Sequence, residues 1–201
     1  MGDRPSNFNG PLMQGTFVQH EKFDMVINCK TWTLLRSAIK DKDLISPDLV
    51  KSHCWKVVVI DDNNVSDDVV RCLSDALMKL GISEYYSIPI NDLSLEVAKA
   101  RIRKYNSDDV SWNSFFNFDE NGKADYLESC IFFSDPIKFL LLRTGDVRHM
   151  IYAGPSDFLQ VATGINMEKM EAVAVGSYWP DERIEKLYKP LKLLSLPSGI
   201  T

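Results

Sequence analysis

Three features of the sequence predict an α/β or α+β fold built on one mixed β-sheet. Trp55-Lys56-Val57-Val58-Val59-Ile60 is a β-branched apolar run, the pattern of a strand buried on both faces. Ser66 to Gly81 carries apolar residues at helical spacing between a start and a stop signal. Ile137 to Arg143 and Val147 to Ala153 flank Thr144-Gly145-Asp146, the pattern of a hairpin. The 201 residues are 45% hydrophobic and 25% charged. That balance is globular and excludes a disordered chain, a collagen-like repeat and a disulfide-knotted mini-protein. No run of eighteen apolar residues occurs, so no membrane-spanning helix is expected.

In chain order, residues 1–16 are rich in Gly, Pro and Asn and read as an irregular arm. Residues 17–201 read as a single domain. Trp32, Leu35 and Ile39 set a helix from Thr31 to about Lys42. Ser46-Pro47-Asp48 opens a short second helix, with Ser46 as its cap and Pro47 in its first turn. After the buried strand, Ser66 can cap the next helix, Asp67 and Asp68 suit its positive start, and Gly81 stops it. Val69, Leu73, Leu77 and Leu80 form its apolar stripe. Tyr85 to Ile90 is a second strand, which completes a βαβ unit and favours parallel pairing of its two strands. A further helix is expected at Ser94 to Tyr105, and Cys130 to Phe133 is a strand candidate. The hairpin comes next, then a short helix from Pro155-Ser156-Asp157 to Gly164. Glu171 to Ser177 is a last strand candidate and Pro180 to Leu191 a last helix. The expectation is one βαβ unit followed by an antiparallel hairpin, flanked by helices.

Charge and cysteines narrow the function. The chain has 23 Lys and Arg against 28 Asp and Glu, a net charge of −5. Neither half is basic, so no nucleic-acid partner is expected. Cys29, Cys54, Cys72 and Cys130 show no metal-ligand spacing and each adjoins apolar residues. They read as reduced, mostly buried thiols, and with no secretory signal after Arg4 they point to the cytoplasm.

Motifs for catalysis are sparse. Val57 to Asn63, with Asp61 and Asp62 ending a strand, resembles the opening of a response-regulator receiver domain. Residues 94–135 supply no third strand ending in Asp, so phosphoryl transfer has no acceptor. Asp119 to Asp125 suggests a calcium loop, but the sixth position is Ala124 and the twelfth Cys130, where an EF-hand needs Gly and Glu. A turn centred on Asn121-Gly122 explains it better. His20, His53 and His149 have no ligand spacing. A Cys54–His149 nucleophile pair has nothing in its favour, and GxSxG, GxGxxG and the phosphate loop are absent. No catalytic residue, metal or cofactor is expected.

The strongest signal is compositional. Residues 106–135 hold seven acids and one Lys, a local charge of −6, together with seven aromatics. Asp108, Asp109, Trp112, Phe115, Phe116, Asp119, Glu120, Asp125, Tyr126 and Glu128 are the candidate partner-binding residues. Aromatics supply contact area, and clustered acids steer a basic partner. An alternative cleft would gather Asp61, Asp62 and Asn91 at the carboxyl ends of parallel strands, in a small enzyme or a ligand- or metal-binding domain. A third reading places a contact with a larger complex in the apolar tail, Leu191 to Ile200. If that tail is merely a terminus, truncation at Pro190 leaves a stable monomer.

A small acidic α/β chain with this acidic–aromatic segment, and with its late hairpin followed by Tyr152-Ala153-Gly154-Pro155-Ser156-Asp157-Phe158, resembles in general character the bacterial immunity proteins. These are encoded with contact-dependent growth inhibition and other polymorphic toxins. The resemblance implies stoichiometric inhibition, in which the acids and aromatics dock on a basic toxin domain and occlude its active site. No family signature residue is carried over.

Overall fold

The computed structural model describes residues 27–40, 44–61, 67–110, 117–118, 124–125, 128–145, 149–168, 172–175 and 193–196. The first helix, α1 (Cys29–Ala38), is capped by Asn28, whose side chain accepts from the Lys30 amide. A two-strand ladder of β1 (Ile39–Lys40) and β2 (Leu44–Ile45) follows, then α2 (Pro47–Ser52). The buried run forms β3 (Lys56–Asp61), and α3 (Asp67–Lys79) leads to β4 (Glu84–Pro89). Gly81, at φ 66°, ends α3. Its amide donates to the Met78 carbonyl and the Ile82 amide to that of Leu77. That double closure is a Schellman motif, which needs a left-handed residue where Gly stands.

Beyond β4 lie β5 (Arg103–Asn106), a small hairpin of β6 (Asn117–Phe118) and β7 (Ala124–Asp125), and β8 (Cys130–Phe133). Then come β9 (Leu140–Arg143), β10 (His149–Gly154), α4 (Ser156–Thr163), β11 (Ala172–Val175) and β12 (Leu193–Leu196). Eight strands form one sheet in the order β12-β11-β3-β10-β9-β8-β4-β5. The pairs β12–β11 and β11–β3 are parallel and every other pair is antiparallel. The fold is therefore α+β, with a mostly antiparallel mixed sheet.

Alternation along the central strands divides the core into two layers. Val57 and Val59 pack with Ile131, Phe133, Leu140, Leu142 and Ile151 under α1 and α2. Val58 and Ile60 pack with Phe132, Leu141, Met150 and Tyr152 under α3 and α4. The near-continuous hydrophobicity of β3 thus reflects helices on both faces. Each fully buried aliphatic or aromatic side chain of this kind stabilises by about 1.5–3 kcal/mol.

Several expectations change. The two strands of the βαβ unit run in the same direction but do not pair, because β10, β9 and β8 lie between them. The meander of three short-looped strands takes the edge of β3 that a direct crossover would have used. The helix expected at Ser94 to Tyr105 is not formed. One 3-10 turn covers Ile90–Ser94, a second Val97–Lys99, and the chain then extends into β5. Pairing with β4 outweighs the local preference. The first helix stops at Ala38 rather than near Lys42, because Ile39 and Lys40 pair with β2. Of the four cysteines, Cys29 and Cys54 are exposed, Cys72 is half-buried and Cys130 alone is buried. Within the apolar tail, Leu193–Leu196 is a strand of the sheet, since β12 pairs with β11 along all four residues. The arm at 1–16 and the helix expected at Pro180 to Leu191 fall outside the described residues.

Candidate functional site

The acidic–aromatic segment is rooted at the two ends of one strand. Asn106, the last residue of β5, pairs with Glu84 at the start of β4. Cys130, the first of β8, pairs with Pro89 at its end. Five strand steps separate these roots, about 17 Å. At the first root the Ser107 amide donates to the Ser83 carbonyl, and Ser74 Oγ donates to the Ser107 carbonyl at 2.6 Å. Asp108 and Asp109 follow directly and are exposed. The β6–β7 pairing sets Asp125 opposite Asn117 and leaves residues 119–123 to join the two strands. Asp119, Glu120, Trp112, Phe115, Phe116 and Tyr126 lie outside the described residues, as does the side chain of Asp125.

Glu128 at the second root is not a free acid. Its carboxylate accepts from Arg101 Nη2 at 2.6 Å and Nη1 at 3.1 Å. The same guanidinium donates from Nε and Nη2 to Asp92, both at 2.9 Å, and the Arg101 amide adds a third bond to Asp92 at 2.8 Å. The carboxylates are nearly covered, with side-chain exposures of 8% and 11%, whereas the arginine is 58% exposed. Burial pushes the Asp92 carboxyl up, but the Arg101 hydrogen bonds and charge together hold it below its usual range. The two acids raise the Arg101 guanidinium further above its already high value. This clamp joins the turn after β4 to Glu128, two residues before β8, and it neutralises one of the two charges. Arg101 was not legible as a partner of Glu128, because a separation of 27 positions gives no periodic signal.

The structure does not bring the alternative cleft together. Asp61 ends β3 and Asn91 follows β4, at the same end of the sheet. Three strands intervene, so four strand spacings, about 19 Å, separate them. The side chain of Asp61 and all of Asp62 fall outside the described residues, and Asn91 is exposed. Between those two positions lies a buried polar group of which the sequence singles out His149 alone. It comprises Arg143 and Thr144 at the end of β9 and His149 at the start of β10, none more than 3% exposed. Thr144 Oγ1 lies 3.2 Å from His149 Nδ1 and accepts from the His149 amide. Arg143 Nη1 donates to the Glu128 carbonyl.

Nucleophilic chemistry finds little support among these residues. Burial pushes the Cys130 thiol up to about 12, despite the neighbouring Arg143 guanidinium, so it stays protonated at neutral pH. Cys54 precedes β3, whereas His149 pairs with Asp61 at its far end. The six-residue strand keeps them about 17 Å apart, and the Cys54–His149 pair is excluded. Among the described residues no three His, Cys, Asp or Glu side chains are grouped to hold a metal. No helix among the described residues is long and apolar enough to cross a membrane. No family model matches the chain, and neither a curated protein nor a solved structure matches it.

Proposed function

We propose that the chain is a cytoplasmic, stoichiometric protein-binding inhibitor of the bacterial immunity type. Its partner is a basic toxin domain whose active site it covers. One observation carries this reading: residues 106–135 concentrate six net negative charges in a chain whose other residues sum to +1, together with five aromatics besides the buried Phe132 and Phe133. The exposed Asp108 and Asp109, and the antiparallel pairing of β6 with β7 within this segment, support docking through it. Acids at the rim of such a surface raise the association rate of a cationic partner, and aromatics provide the desolvated contact. Glu128 contributes by anchoring the segment through Arg101 rather than by offering free charge.

A low-salt pull-down with the tagged chain, followed by mass spectrometry and stoichiometry, tests the class. One basic domain recovered near one to one supports it, and a partnerless monomer rejects it. Charge reversal at Asp119, Glu120 and Asp125 to Lys then tests the surface. The expected result is an association rate lower by about 10–100-fold, a flattened salt dependence and an unchanged fold. Unchanged affinity assigns the docking surface elsewhere.

A further inference from the structure

Residues 94–106 carry two sets of folding instructions that disagree. Ser94-Leu95-Glu96-Val97-Ala98-Lys99-Ala100-Arg101-Ile102-Arg103-Lys104-Tyr105 begins with a capping hydroxyl and an early acid. It continues through strong helix formers and ends in cations, which suits a helix at both termini. Leu95, Ala98, Ile102 and Tyr105 recur at three-, four- and three-residue steps, one apolar stripe of an amphipathic helix. The stripe is not used as such in the structure. Leu95 is 40% exposed and Ala98 is exposed, while Tyr105 stacks on Tyr85 with ring centroids 5.0 Å apart.

In the strand form Val97, Ala100 and Ile102 are half-buried against the core layer under α1 and α2, and Tyr105 against the opposite layer. Among the described residues β5 is the last strand in the sheet order and pairs with β4 alone, over four residues. Tyr105 adds its stacking and a 3.2 Å contact between its hydroxyl and Ser87 Oγ. The Lys104–Glu84 ion pair joins β5 to β4 and is almost half exposed on both sides. Ahead of β5, the Arg101 clamp on Asp92 and Glu128 fixes the chain where the helix would otherwise continue. The Glu96–Lys99 ion pair, at three-residue spacing, suits either form. Local helix preference and these tertiary contacts pull the segment toward two different forms.

We infer that residues 94–106 are a two-form element, the edge strand of the structure and an amphipathic helix, with the Arg101 clamp as the latch between them. In the helical form β4 becomes the sheet edge. Asn106 is drawn toward Ser94, because the rise falls from about 3.3 to about 1.5 Å per residue. The root of the acidic segment moves with it. The inference stands on these contacts alone and is independent of the partner.

Exchange NMR on the full chain tests it, reading backbone shifts of residues 94–105. The wild-type protein is expected to show a minor state with helical shifts confined to this segment. Arg101→Ala should raise its population about tenfold, with a smaller rise for Glu128→Gln. Adding Ala100→Gly to Arg101→Ala should lower the helical population about fivefold, as Gly does in helices. A β5 that stays paired in Arg101→Ala, or random-coil shifts over 94–105, overturns the inference. If Arg101→Ala fails to fold, the wild-type experiment decides, and absence of a helical minor state there is also a refutation.

Discussion

Gly154 governs how closely β10 and α4 approach. A Cβ built on it would lie 2.8 Å from Phe158 Cδ1 and 3.6 Å from Phe139 Cβ. Both rings are fully buried and pack 5.1 Å apart. Gly154→Ala is therefore expected to lower stability by about 1–3 kcal/mol through overpacking. Phe158→Leu should relieve part of that loss in the double mutant, read by urea denaturation as a coupling energy. The Tyr152-to-Phe158 stretch is thus explained by packing at the strand-to-helix corner. Asp92 offers a second residue-level test. Its folded carboxyl is held below the usual value, so its contribution is complete above the ordinary aspartate range near about 3.9 and is lost as pH falls through the depressed value. Asp92→Asn should cost about 1–2 kcal/mol at neutral pH, discounted because Arg101 is largely solvated. The difference from wild type should close below about pH 3.9, measured by denaturant midpoints across pH. A constant difference would mean the clamp adds no charge-dependent stability.

The elements fall into those set locally and those set by their neighbours. Helices α3 and α4 both end at a positive-φ glycine, Gly81 and Gly164, and their stripes meet in one core layer. The apolar period and the C-terminal glycines were sufficient to place them, while the expected Ser66 cap lies outside the described residues. β5 is the contrary case, because its sequence prefers a helix and its pairing with Tyr85, Tyr86 and Ser87 imposes a strand. β12 is another element whose role the sequence understates. Its four residues form the ladder with β11, so this part of the tail is structural. Truncation after Pro190 is expected to cost about 2–4 kcal/mol through lost ladder bonds and to expose the β11 edge to association. Chemical denaturation and light scattering of the shortened chain check this. Unchanged stability would show that β12 adds nothing to the sheet.

On the scale of the whole molecule, the sheet order decides which distant residues can act together. Cys130 lies within the sheet between β4 and β9, under the α3 and α4 layer. Its thiol should react with a disulfide reagent only through global unfolding. Labelling of the native protein should consume Cys29 and Cys54 first, Cys72 more slowly and Cys130 last, with the Cys130 rate rising with urea in step with the unfolding constant. Early loss of Cys130 would mean that this end of the sheet opens on its own. The sequence by itself determined an α/β or α+β class with a mixed sheet, the two-faced burial of β3, the hairpin of β9 and β10 and the glycine stops of α3 and α4. Each of these is written in near-neighbour spacing, apolar period and turn chemistry. It also marked residues 106–135 as unusual through charge and aromatic content, which need no coordinates. Only the tertiary structure decided that three strands separate β3 from β4 and so keep Asp61 from Asn91. It alone decided that Arg101 binds Glu128 across 27 residues, and that Arg143 is buried. Strand order and long-range ion pairs depend on which surfaces meet after collapse, and no local pattern encodes that.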